Sequence, residues 1–168
     1  MKKLILFCAL VVAQLTTVQA QTIKLGHINS NQLLSAMPET KKADSVLTKF
    51  GQSLQSQLEM MTNEYQSKAK DLDEKQASMI EAVRDAKIKE LNDLETRIRE
   101  FQQSAQDNAS KKKEEIYAPI IKAAEDAIKS VAKEKGYTYI FDSGVGVLLY
   151  SNESDDILPM VKEKLKLK

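Results

Sequence analysis

The chain has 168 residues, of which 29% are charged, and a formal charge of +1. That balance excludes the global basic field of a nucleic-acid binder, and a single histidine with a single cysteine leaves little for metal or thiol chemistry. Nine aromatic residues, no tryptophan, five glycines and three prolines point to a helical protein with much solvated surface and a modest core.

The first twenty residues read as a targeting segment. Lys2 and Lys3 form a positive start, Leu4 to Val12 is an apolar run too short to span a bilayer, and Val18-Gln19-Ala20 offers small residues for a signal peptidase. Cleavage is expected after Ala20. It would remove Cys8, which lacks the small preceding residues of a lipidated cysteine, and two lysines, so the formal charge would fall from +1 to −1. Export without disulfides suits a bacterial periplasm.

Residues 22–28 read as a strand, with Ile23, Leu25 and His27 on one face and Lys24, Gly26 and Ile28 on the other. Asn29 or Ser30 can cap a short helix carrying Leu33, Leu34 and Met37. Pro38 then opens the next helix, with Glu39 in its first turn.

From Gln52 to Ala118 there is neither glycine nor proline, the signature of very long helix. Apolar residues fall at Leu47, Phe50, Leu54, Leu58, Met61, Tyr65 and Leu72. A second run takes Leu91, Leu94, Ile98, Phe101 and Ala105, and a third takes Ile116, Ile120, Ala124, Ile128 and Val131. Steps of three and four keep one narrow stripe facing a partner helix. The polar stretch Gln106 to Glu115 predicts a loose seam, and Pro119 predicts a kink or local loosening. Residues 73–87 hold no turn chemistry, so pattern alone leans towards a continuous rod, although one stripe needs a partner that a fold-back would supply.

Gly136, after Lys133-Glu134-Lys135, is a helix stop. Tyr137 to Phe141 alternate as a strand, Asp142-Ser143-Gly144 makes a turn, and Val147 to Ser151 reads as a further strand. A last short helix carries Ile157, Val161 and Leu165, with Pro159 in its first turn. Strands at opposite ends of the chain can share a sheet only if the long helical region returns to its origin. Three short strands make a small body, which oligomerisation would stabilise.

Two end motifs frame this helical middle: Ile23-Lys24-Leu25-Gly26-His27-Ile28-Asn29 with Leu33-Leu34-Ser35-Ala36-Met37-Pro38-Glu39, and Ile128 to Tyr137 with Tyr139-Ile140-Phe141-Asp142-Ser143-Gly144, Leu149-Tyr150 and Asp156-Ile157. In this order they resemble the Skp/OmpH family of periplasmic chaperones. The resemblance implies an α+β fold: a small β-sheet or barrel body (residues 21–38 and 136–168) and a long antiparallel coiled-coil hairpin (39–135), its tip near 77–83, three subunits forming a homotrimer. It implies an ATP-independent holdase that encloses unfolded outer-membrane β-barrel proteins in the periplasm, without a cofactor. Ile23, Leu25, Ile28, Ile140, Val147 and Leu149 are the candidate residues of the body core and oligomer contact. The family's best-known member is strongly basic, whereas Gln52 to Ala118 here carries 11 basic and 14 acidic residues, so no lipopolysaccharide site is carried over.

His27 has no second ligand at metal spacing and reads as a structural histidine. Ser143 beside Asp142 has no histidine to complete a nucleophile, and Gly144 with Gly146 are too few to cradle a phosphate. Neither catalysis nor a metal is expected. Met60 and Ile80 flank the seam and are the candidate client contacts, since methionine adapts to irregular apolar partners. The alternative function is a structural coiled-coil spacer or tether in the envelope. A membrane-surface helix is disfavoured by near-neutral charge and a narrow stripe.

Overall fold

The computed structural model describes residues 23–167. The expected targeting segment, its cleavage after Ala20 and Cys8 lie outside them. The elements are β1 (Leu25–Ile28), α1 (Ser30–Ala36), α2 (Pro38–Lys75), a 3-10 turn (Gln76–Ser78), α3 (Glu81–Lys135), β2 (Tyr139–Asp142), a second 3-10 turn (Glu153–Asp155) and α4 (Leu158–Lys164).

Each junction has a local cause. The Asn29 side chain accepts from the backbone of Gln32 at 3.0 Å and so caps α1. Pro38 opens α2 with Glu39 in the first turn, where an acid complements the helix dipole. Gly136 ends α3 in the left-handed region at φ 70°, and the Tyr137 amide then donates to Ala132 at 2.9 Å. The Lys24 ammonium donates to the Lys135 carbonyl at 2.9 Å and lies 4.1 Å from the Tyr137 ring centre, closing the negative end of α3 with a cation.

α2 and α3, 38 and 55 residues long, form a helix–turn–helix arm. At about 1.5 Å per residue they extend roughly 57 and 83 Å. The chain leaves the helix at residues 76–80, so the rod favoured by pattern alone is interrupted. Cross-helix partners converge on that turn: Asp44 with Tyr117, Lys68 with Glu90, and Asp71 with Lys87. Met61 and Leu94 are buried in the seam, while Phe50, Leu54, Leu58, Ile98 and Phe101 are half-buried along it. Pro119 sits inside an uninterrupted α3.

β1 and β2 pair in parallel, Leu25 opposite Tyr139 and Ile28 opposite Asp142. The two ends of the chain therefore meet in one sheet. The strand read over Val147 to Ser151 does not form: that segment carries no ladder, and among the described residues β1 is paired with β2 and by an isolated bridge from His27 to Asp156. β1 itself is shorter than the expected 22–28, and Ile23 precedes it.

The core sits under the sheet. Ile28, Leu33, Met37 and Ala43 from one end pack with Ile120, Ala124, Ala127 and Val131 of α3 and with Ile157, Leu158 and Val161 near the C-terminus. Gly26 is required here: a Cβ would come within 2.9 Å of the Tyr137 ring.

Candidate functional site

The alternation of a strand sends Gly26, Ile28, Ile140 and Asp142 to the core side of the sheet and Leu25, His27, Tyr139 and Phe141 to the other. That outer face is open. Tyr139 and Phe141 lie stacked with ring centres 6.5 Å apart, and Leu25 is exposed beside them. The segment after β2 brings Leu148 and Tyr150 to this face, and Val145, Val147 and Leu149 along it are exposed as well, Val147 to 76% and Leu149 to 97%. A cleft of about 230 Å³ lies between, lined by Leu25, His27, Phe141, Leu148, Tyr150 and Asn152. A contiguous apolar surface rimmed by polar groups marks an interaction site, and a two-stranded sheet alone is marginal in water.

Of the six candidate body residues, Ile28 is buried and Ile140 half-buried against the core. Ile23, Leu25, Val147 and Leu149 are exposed, so the structure separates a core pair from a surface group. Met60 and Ile80 are 59% and 71% exposed, on α2 and at the turn, and do not come together.

His27 is a fixed part of this framework. Its Nε2 lies 3.0 Å from the Asn152 carbonyl, and its own carbonyl accepts the Ile157 amide at 2.9 Å. Beneath the sheet edge, the Asp142 carboxylate accepts from the Ser30 hydroxyl at 2.5 Å, the Ser30 amide at 3.2 Å and the Gly144 amide at 2.8 Å. Burial pushes this carboxyl up, but the three hydrogen bonds together prevail and hold it below the ordinary aspartate range. From sequence, Asp142 reads as the end of a strand and the start of a turn; its further role, tying α1 to β2, depends on a contact 112 residues away.

Among the described residues, no group of three or more His, Cys, Asp or Glu side chains is placed to hold a metal ion. None of their helices is long and apolar enough to cross a membrane. What the arrangement offers is surface: an apolar face on the body and two long helix faces on the arm.

The model of the family described as "Outer membrane protein (OmpH-like)" matches residues 24–165. The chain belongs to this OmpH-like family. It is similar to the chaperone protein Skp of Yersinia enterocolitica, with 26% identity over 168 residues, 99% of this chain and 100% of that protein. The fold matches that of a Caulobacter crescentus protein described as OmpH-like, with a TM-score of 0.74 at 15% identity, over 85% of this chain and 83% of that one. The OmpH-like fold is thus a mostly helical one, with long helices and a small parallel strand pair. Within this OmpH-like family member, the two surfaces above are the candidates for assembly and for binding.

Proposed function

We propose that this protein is an ATP-independent periplasmic holdase: three copies join through the apolar body face, and their antiparallel helical hairpins enclose an unfolded outer-membrane β-barrel protein. The observation that carries the reading is the pairing of an unpartnered apolar face, Leu25, Tyr139 and Phe141 with Leu148 and Tyr150 beside them, with an arm whose core is a narrow seam. The face supports assembly, because its burial removes apolar surface from water at about 25 cal/mol per Å². The arm supports holding, because its outer surface is long, solvated and free for many weak contacts. Met60 and Ile80 are the proposed apolar contacts, adaptable and exposed.

The test dilutes a urea-unfolded outer-membrane β-barrel into buffer with the chain from Gln21 onward and follows light scattering against subunit ratio. Suppression of scattering that saturates near three subunits per client is expected from the inferred trimer. A folded, helical protein that leaves scattering unchanged sinks the reading and favours a structural spacer. Replacing Met60 and Ile80 together with serine should weaken holding while helicity and assembly mass stay the same. Unaltered holding would remove these two residues from the contact surface.

A further inference from the structure

The arm is charged along most of its length and almost uncharged in one place. Seven of the twelve residues from Glu64 to Lys75 are charged, as are eleven of the twenty from Glu81 to Glu100 and five in a row from Lys111 to Glu115. From Phe50 to Asn63 only Glu59 is charged, and from Phe101 to Ser110 only Asp107. These two stretches belong to different helices, more than forty residues apart in sequence from centre to centre. The fold brings them largely to one level: residues 50–58 stand beside 101–110, while 59–63 stand beside 96–100, where Arg97, Arg99 and Glu100 begin the charged stretch. Both lie between the Asp44–Tyr117 contact near the body and the Lys68–Glu90 pair towards the turn.

The result is a belt around the middle of the arm. Its outer side chains are amides and hydroxyls, all exposed: Gln52, Ser56 and Gln57 on α2, Gln102 and Gln106 on α3. The half-exposed rings of Phe50 and Phe101 and the exposed Met60 stand among them. Elsewhere on the arm, solubility is met by charge, and ion pairs tie neighbouring turns. The belt holds no salt bridge among the described residues, although Gln55 donates to Glu59 at 3.0 Å and Gln103 to Asp107 at 3.3 Å.

A glutamine both donates and accepts, and carries no field that would favour a charged partner. Beside aromatic and thioether side chains, it can satisfy backbone groups of an extended chain while the apolar residues take that chain's apolar positions. At about 1.5 Å per residue, residues 50–63 give a contact strip roughly 20 Å long, the length of about six extended residues. Strands destined for a membrane barrel are segments of about ten residues that alternate apolar and polar and carry few charges on the lipid side.

We propose that this belt is the arm's grip on its client, and that it selects uncharged, alternating segments of the membrane-strand kind. The inference rests on the holdase reading and gives it a location and a chemistry. Recognition at the belt is then set by desolvation and hydrogen bonding, and an added charge of either sign is unfavourable there because it must lose water without gaining a partner.

Two triple variants test this, Ser56→Glu/Gln57→Glu/Gln102→Glu and Ser56→Lys/Gln57→Lys/Gln102→Lys. A control variant, Gln66→Glu/Asn92→Glu, places acids on the same helices outside the belt. All change exposed positions to good helix formers, and circular dichroism checks that helicity is kept. The probes are a urea-unfolded membrane β-barrel, read by light scattering, and an uncharged alternating peptide of about ten residues, read by fluorescence anisotropy. We expect both belt variants to bind the peptide about tenfold more weakly, the control to bind as the unaltered protein does, and salt between about 50 and about 500 mM to change binding less than about twofold. Belt variants that bind like the unaltered protein overturn the belt, as do opposite effects of lysine and glutamate, which would reveal a long-range field. If the unaltered protein holds the barrel in those cases, the holdase reading stands without the belt; if it does not hold the barrel at all, that reading falls first.

Discussion

The Ser30 hydroxyl donates to the Asp142 carboxylate at 2.5 Å, joining residues 112 positions apart. The same carboxylate receives the amides of Ser30 and Gly144, so one side chain holds the start of α1, the end of β2 and the turn that follows. Asp142→Ala strands these donors in a half-buried place and should cost about 2 kcal/mol in urea unfolding. Because the folded carboxyl is held below its ordinary range, this stability is present above the unfolded value near 4 and is lost as pH falls through the folded value. An acid titration of the unaltered protein and of Asp142→Asn should therefore diverge above about pH 4 and converge below it. Parallel curves would contradict the assignment.

Leu33 is fully buried where α1 meets α3 and α4. Leu33→Ala leaves a cavity between helices that cannot fully collapse, and about 2–5 kcal/mol should be lost in chemical denaturation. A loss below about 1 kcal/mol would mean that the body is packed less tightly than described.

Gly136 holds φ at 70°, where any side chain is strained, although nothing stands within 4 Å of an added Cβ. The expected cost of Gly136→Ala is about 1 kcal/mol and purely conformational, so Gly136→Asn, which tolerates this region better, should recover part of it. Equal thermal midpoints for glycine, asparagine and alanine would rule that out.

Towards the turn, the Lys68 ammonium bonds Glu90 at 2.5 Å and lies 3.7 Å from Glu64. Its hydrogen bond and charge lower the Glu90 carboxyl below the ordinary glutamate range. A carbon-detected NMR titration should show this depression, and Lys68→Met should remove it. The pair is exposed, so its support for the arm is present above the unfolded glutamate value, fades as pH falls through the folded one, and is screened by salt. A Glu90 midpoint that ignores the substitution would deny the contact.

The helix boundaries were legible because they are written in single residues: Asn29 as a cap, Pro38 as a start, Gly136 as a stop. The break at 76–80 was not legible in its own residues, since Ile80 precedes α3 without a capping side chain and the segment has neither glycine nor proline; only the family resemblance set a tip near 77–83. Val147 to Ser151 has the alternation of a strand, but a strand exists only with a partner, and alternation cannot say whether one is within reach. The exposed body face follows from the same pattern once the register of β1 on β2 is known. Charge depletion in residues 50–63 and 101–110 is visible in the sequence, yet only the packing of α2 on α3 turns two polar stretches into one belt.

The parallel ladder has a kinetic consequence. Gly26 and Ile140 can find each other cheaply only after the chain between them has been shortened by structure, since closing so long a flexible loop carries an entropic cost that local contacts avoid. The pairs nearest the turn, Asp71–Lys87 and Lys68–Glu90, are 16 and 22 residues apart, so they are expected to close first. Zipping of the arm then carries the two ends of the chain to one place, so the sheet forms late and its substitutions should act mainly on the unfolding rate. The apolar strand segments stay apart until the helices between them have paired, which shortens the time any chain spends with a compact, open sheet edge offered to its neighbours.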